Sequence, residues 1–209
     1  MTVYSYSKLS LFESCPMAYR LQYIEGVGVA GVETAELFTG ALVHEVMEEL
    51  YNDVRREKIP TLEELLDYYR RLWKKRWTED VEIVEEGLRP EHYRKFGERC
   101  IRDYYKRYHP FDQGRVIGTE LQISFDLDGY RLCGYIDRLD VTSKGVYEIH
   151  EYKTSQHLPP LGTFRKSRQL SIYQLGVQQL WPDAEEVELV WHYLAHDREI
   201  RVKQTKEEL

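Results

Sequence analysis

Gly134-Tyr135-Ile136-Asp137-Arg138 and, beyond a short Ser143-Lys144-Gly145 turn, Glu151-Tyr152-Lys153 are the two stretches on which the reading of this chain turns. They lie in Tyr130 to Val141 and Val146 to Tyr152, where β-branched and aromatic residues alternate with polar ones, the period-two pattern of strands. Side chains at i and i+2 of a strand share a face, so Glu151 and Lys153 point the same way. If the turn sets the register, Asp137 stands roughly across from Glu151. Two carboxylates side by side repel unless a cation lies between them. Such a site suits metal-assisted hydrolysis: Glu151 can bind a hard divalent cation, while Lys153 orients or deprotonates a water and offsets charge on a pentavalent phosphate. The plainer alternatives are an exposed Glu-x-Lys pair and an Asp137 ion pair with Arg138 or Lys153 that decorates the sheet.

Outward from these strands the pattern continues. Val116 to Phe125 forms a preceding strand, joined through Asp128-Gly129, so three antiparallel strands follow one another. A helix over about Arg165 to Leu180 stops before Trp181-Pro182, and Val187 to Ala195 and Ile200 to Lys203 read as two last strands. Before Gly114 the period is helical. Ser5 or Ser7 caps a first segment, and Pro16 splits it near Cys15. Glu33 to Arg56 is a second helix. Thr61 to Trp77 is a third, with Thr61 and Glu64 in a capping box, and Pro90 to Tyr108 is a fourth. A helical block followed by β-β-β-α-β-β predicts an α/β fold, a sheet with helices on its faces.

The chain has 209 residues, 29 Lys plus Arg and 36 Asp plus Glu, a net charge of −7, which argues against a polycationic DNA-coating role. No apolar run approaches 18 residues and no leader pattern opens the chain, so the expectation is a cytoplasmic protein that does not enter a membrane. Its three cysteines, Cys15, Cys100 and Cys133, are widely spaced and fit a reducing compartment.

Two further features join the strands. His44 lies on the second helix in Gly40-Ala41-Leu42-Val43-His44-Glu45, where a structural histidine is the ordinary reading. Gln169 and Tyr173, four apart in Gln169-Leu170-Ser171-Ile172-Tyr173, share one helix face and are by themselves a polar pair.

In chain order, Tyr6-Ser7-Lys8-Leu9 with Cys15-Pro16-Met17-Ala18-Tyr19, the Gly40 to His44 helix, the Asp137 strand, the Glu151-Tyr152-Lys153 strand and the Gln169 to Tyr173 helix resemble the RecB-like branch of the PD-(D/E)xK nuclease superfamily, which includes CRISPR-associated RecB-type exonucleases and the AddB/RecB nuclease domains. The resemblance implies a restriction-endonuclease-like core with a mixed β-sheet flanked by helices and an N-terminal helical region. It implies one nuclease domain over residues 1–209, helical over 1–113 and with the catalytic sheet over 114–209. It also implies a metal-dependent DNA nuclease, an exonuclease of DNA repair, recombination or CRISPR adaptation. The alternative is a catalytically inactive DNA-binding or scaffold subunit.

Carried onto this sequence, the metal ligands would be His44, Asp137, Glu151 and the main-chain carbonyl of Tyr152, holding Mg²⁺ or Mn²⁺; a nitrogen ligand suits Mn²⁺ at least as well. Lys153 would assist the attacking water, and Gln169 and Tyr173 would position the scissile strand or Lys153. Glu120 is a minor candidate for a further carboxylate. Many relatives hold an iron-sulfur cluster on four cysteines; no cysteine follows Cys133, so no cluster is expected in this chain, and Cys15 reads as a small buried apolar residue. The partner would be DNA, single-stranded or at duplex ends, with a helicase or CRISPR-adaptation protein as a further partner. Arg165, Lys166 and Arg168 are the expected DNA contacts because they adjoin the site. The basic runs on the third and fourth helices are at least as well explained as solvated faces.

Overall fold

The computed structural model describes residues 3–27, 32–165, 167–205 and 209. Strand β1 (Val3–Ser5) leads into α1 (Tyr6–Ser14) and α2 (Pro16–Tyr19), followed by a π-helical turn. Ser5 caps α1 by accepting from the Lys8 amide at 3.3 Å. Helices α3 (Ala35–Arg55), α4 (Leu62–Arg76) and α5 (Pro90–Tyr108) form the helical layer. Thr61 and Glu64 close the expected capping box on α4, and Pro90 begins α5, where a missing amide costs nothing. The sheet follows as β2 (Arg115–Leu127), β3 (Tyr130–Val141) and β4 (Tyr147–Lys153). Then come α6 (Leu161–Phe164), α7 (Arg168–Leu180), β5 (Val187–Tyr193) and β6 (Arg198–Val202).

The sheet is mixed. Strand β3 is its spine: antiparallel to β2 along its length, parallel to β1 through Arg131 to Cys133, and antiparallel to β4 from Arg138 to Val141. Strand β4 then runs parallel to β5, and β5 antiparallel to β6. Helices α3 to α5 cover one face with a core that includes Leu42, Val46, Leu50, Tyr69, Ile101 and Tyr152. Helix α7 covers the other face through Leu170, Tyr173 and Val177 against Ile123, Ile136 and Leu189. Along β4 the alternation sorts side chains accordingly: Tyr147 and Ile149 join the α7 core, while Tyr152 joins the helical layer.

Three expectations need correction. Strand β1 is absent from the sequence reading because three residues carry no measurable period. The expected Arg165 to Leu180 helix is two elements, with α7 starting at Arg168. Cys15 is exposed, and its sulfur serves as the N-cap acceptor of α2, 3.4 Å from the Ala18 amide. A thiol is a weak acceptor, but at an N-cap it faces amides that lack helical partners.

Candidate active site

The β3–β4 ladder pairs Arg138 with His150, and extending that register by one residue sets Asp137 against Glu151, just past the last paired rung of the two strands. Arg138 turns to the opposite face, where its Nε lies 3.2 Å from Asp140, so it does not pair with Asp137. Asp137 Oδ2 instead accepts from the Tyr152 amide at 2.7 Å. The Tyr152 carbonyl accepts from His44 Nε2 at 3.0 Å, and His44 Nδ1 lies 3.6 Å from Asp137 Oδ2. One main-chain residue of β4 thus holds both the helix α3 imidazole and the β3 carboxylate. Gly40 permits the close approach: a Cβ there would lie 2.9 Å from Thr154 Oγ1, just past Lys153.

Lys153 Nζ donates to Glu151 Oε1 at 2.6 Å, and Gln169 Nε2 donates to the same oxygen at 3.2 Å and to Tyr173 Oη at 3.1 Å. Gln169 thus touches the strand pair through Glu151, and Tyr173 reaches it through Gln169. Glu151 Oε2 is buried and has no hydrogen-bond partner among the described residues. Burial costs a charged carboxylate dearly unless its lone pairs are engaged. An orphaned buried oxygen on a carboxylate whose charge acts on both Asp137 and His44 fits a bound hard cation; the ligand atoms that lie within 4.8 Å of one another belong to His44, Glu120 and Asp137, not to Glu151.

The charges bear the same stamp. Burial, and next the Glu151 charge, push the Asp137 carboxyl well above its ordinary range. Burial holds the His44 imidazole below its ordinary range against the pull of Glu151. Burial also works against the Lys153 ammonium, but Glu151 outweighs it and keeps that group charged at neutral pH. Burial, Glu48 and Glu151 raise the Glu120 carboxyl. Glu120 emerges as more than the minor candidate it was: ligand atoms of His44, Glu120 and Asp137 all lie within 4.8 Å of one another.

Tyr173 depends on a glycine that the strand motif already contained. A Cβ on Gly134 would fall 2.5 Å from Tyr173 Cε1. Gly134→Ala should force the ring away from Gln169, destabilise the protein by about 1–3 kcal/mol as an overpacked core does, and lower any hydrolytic rate. Urea unfolding and a rate measurement on the same variant check both.

Two hollows take lining residues from this centre, His44, Tyr152 and Lys153 in one and Gln169 in the other. A cleft of about 1120 Å³ on the α3 side is lined by Glu36, Glu45, Glu48, Glu49, Glu85 and Glu120, with Lys153 as its cation. A groove of about 730 Å³ on the α7 side is lined by Tyr6, Arg168, Gln169, Trp191 and Tyr193 among others. Of the expected DNA contacts, Arg165 is exposed, Arg168 is exposed and paired with Glu13, and Lys166 lies outside the described residues. Several basic residues of α4 and α5 are occupied: Arg70 pairs with Glu63, Asp67 and Glu98, Arg76 with Glu45, and Arg94 with Glu98.

A protein-family model described as the PD-(D/E)XK nuclease superfamily matches residues 3–208. Among solved structures, a protein of Eubacterium rectale, provisionally described as an exonuclease, superposes with a TM-score of 0.53 at 14% identity; the match covers 98% of this chain and 73% of that one. At that identity the likeness is one of fold. No curated protein matches the sequence significantly.

Proposed function

Because the chain belongs to the PD-(D/E)XK nuclease superfamily, we propose that it is a divalent-cation-dependent deoxyribonuclease of the RecB-like branch, acting as an exonuclease on DNA ends. The observation that carries this reading is the convergence of Asp137, Glu151, Lys153 and His44 at the end of β4, with a buried Glu151 oxygen left for a cation. His44, Asp137, Glu151 and the Tyr152 carbonyl are the proposed cation ligands, with Mn²⁺ suited to the imidazole and Mg²⁺ to the oxygens. When bound, the cation supplies Lewis-acid stabilisation and a water of lowered pKa.

The chain's own groups do the rest. Lys153 keeps its charge through Glu151, so its proposed role is to hold the attacking water and offset negative charge on the phosphate, an electrostatic role rather than that of a base. Gln169 fixes the Glu151 carboxylate and the Tyr173 hydroxyl, and so keeps Lys153 and Glu151 in register. DNA is proposed to approach along the Tyr6–Arg168 groove, because six glutamates line the other hollow and repel a phosphate chain. Arg165 and Arg168 are the contacts on that side, and binding is expected to weaken steeply with salt. Residues 1–209 are proposed to work as one nuclease domain, since α3 supplies His44 to a centre whose carboxylates come from the sheet. A role in DNA repair, recombination or CRISPR adaptation, beside a helicase or CRISPR-adaptation protein, follows from the RecB-like resemblance. No helix among the described residues is long and apolar enough to cross a membrane.

DNA labelled at either the 5′ or the 3′ end should be degraded with Mn²⁺ or Mg²⁺ and spared with chelator, and the label lost first gives the polarity. No cleavage of linear or circular, single- or double-stranded DNA would leave a silent DNA-binding subunit as the better reading.

A further inference from the structure

Trp191 lies on β5, opposite Glu151 of β4 in the parallel ladder, and is 7% exposed. Its indole Nε1 is buried and has no hydrogen-bond partner among the described residues. A buried indole N–H ordinarily finds an acceptor. Around this ring stand Phe164, edge-on at 5.5 Å between centroids, and the Lys153 ammonium, 5.8 Å from the centroid; neither can accept. Trp191 lines the α7-side groove together with Ser167, Arg168 and Gln169, where α7 begins.

That helix start is open as well. Helix α7 is 13 residues long, and its N-cap Ser167 makes no side-chain cap bond. The Ser171 amide closes the first turn on the Ser167 carbonyl at 3.1 Å, which leaves the amides of Arg168, Gln169 and Leu170 without an acceptor among the described residues. No acidic side chain stands in the first turn to occupy them. Free amides at a helix N-terminus favour an anion. The buried indole donor in the same groove is an independent sign of an acceptor that the described residues do not supply.

We propose that the start of α7 and Trp191 form a phosphate subsite, which holds an internal backbone phosphate of the DNA strand next to the one that is cleaved. The inference rests on the nuclease reading of the neighbouring centre and adds a binding site to it. Gln169 joins the two: its amide belongs to the helix start, while its side chain donates to Glu151 Oε1 at 3.2 Å. Arg168 is already forked onto Glu13. The donors of the subsite are therefore the three amides, the Ser167 hydroxyl and the Trp191 indole.

The test is the affinity of the full chain for a fluorescent single-stranded oligonucleotide in chelator, so that no cation takes part, with the Tm of each variant recorded alongside. Trp191→Phe keeps an aromatic ring and loses the donor; it should weaken binding at least about tenfold, the size of one hydrogen bond to a charged group. Ser167→Asp should move two readouts in opposite directions. Its carboxylate caps α7 and raises Tm, yet it occupies the amides and should weaken binding at least about tenfold. Should Trp191→Phe fail to fold, Ser167→Asp decides alone. Oligonucleotides with and without terminal phosphates should lose affinity equally, and a loss confined to phosphorylated ends overturns the assignment to an internal phosphate. Unchanged binding by either folded variant, with a wild type that still cleaves DNA, overturns the subsite and leaves the nuclease reading standing. A wild type that neither binds nor cleaves DNA overturns both.

Discussion

Asp137→Asn should abolish cleavage and, in chelator, make the protein more stable than the wild type. The two effects share one cause. Asp137 is largely buried beside Glu151, and both burial and that like charge disfavour its ionised form. The amide keeps an oxygen for the Tyr152 amide, which donates at 2.7 Å, and removes the charge conflict. A gain of the order of 1 kcal/mol is the usual size of such relief at a functional site. The same change removes a carboxylate from the proposed cation set. Several kcal/mol of Lewis-acid stabilisation, at about 1.36 kcal/mol per factor of ten, correspond to a loss of roughly three orders of magnitude in rate. Adding Mn²⁺ should then reverse the stability order, because only the wild type gains binding energy that the unfolded chain lacks. Thermal unfolding in chelator and in Mn²⁺ checks the crossing. Equal Mn²⁺ stabilisation of both proteins would place the cation away from Asp137.

The largest loss of stability is expected at Arg138. Its guanidinium donates through Nη1 to Tyr104 Oη at 2.9 Å and Tyr152 Oη at 2.8 Å, approaches His150 Nδ1 to 2.8 Å through Nη2, and lies 3.7 Å over the Tyr51 ring. Its counter-ion Asp140 is equally buried, each side chain being 5% exposed. Removing one partner of such a pair leaves an uncompensated charge in the core, which costs about 3–5 kcal/mol. Arg138→Ala should therefore lower the urea midpoint by that equivalent with little change in m-value. Arg201→Ala, at a side chain 37% exposed, should cost clearly less. A small effect at Arg138 would mean that the network is dispensable. The network also bears on the site, because Arg138 holds the Tyr152 ring while the Tyr152 main chain holds His44 and Asp137.

The strands and helices that build the site were legible because each carries a local signal. Alternation marks β3 over Tyr130–Val141, and the helical period from Pro90 to Tyr108 matches α5. Asp128-Gly129 announced the β2–β3 turn, where both residues have positive φ. The strand motif also held a packing fact, since Gly134 is the residue against which Tyr173 lies. What stayed hidden depends on distance in sequence. The Arg168 to Glu13 pair joins residues 155 apart, so no local pattern reveals that an expected DNA contact has a partner. Glu120 looks like any acid on a strand in the sequence because its positive φ, and the missing rung opposite Asp137, are properties of the paired β2–β3 backbone. Free thiols are usually buried, and at Cys15 the cap position of α2 overrides that tendency.

The central claim is that Asp137, Glu151 and Lys153 form a hydrolytic centre, and the most direct measurement is a side-by-side digestion of end-labelled linear DNA by the wild type, Asp137→Asn, Glu151→Gln and Lys153→Met, with Mn²⁺ and with chelator, each variant first shown to be folded. The predicted result is cleavage by the wild type in Mn²⁺ alone and none by any variant. Undiminished cleavage by folded Asp137→Asn and Lys153→Met would contradict the claim.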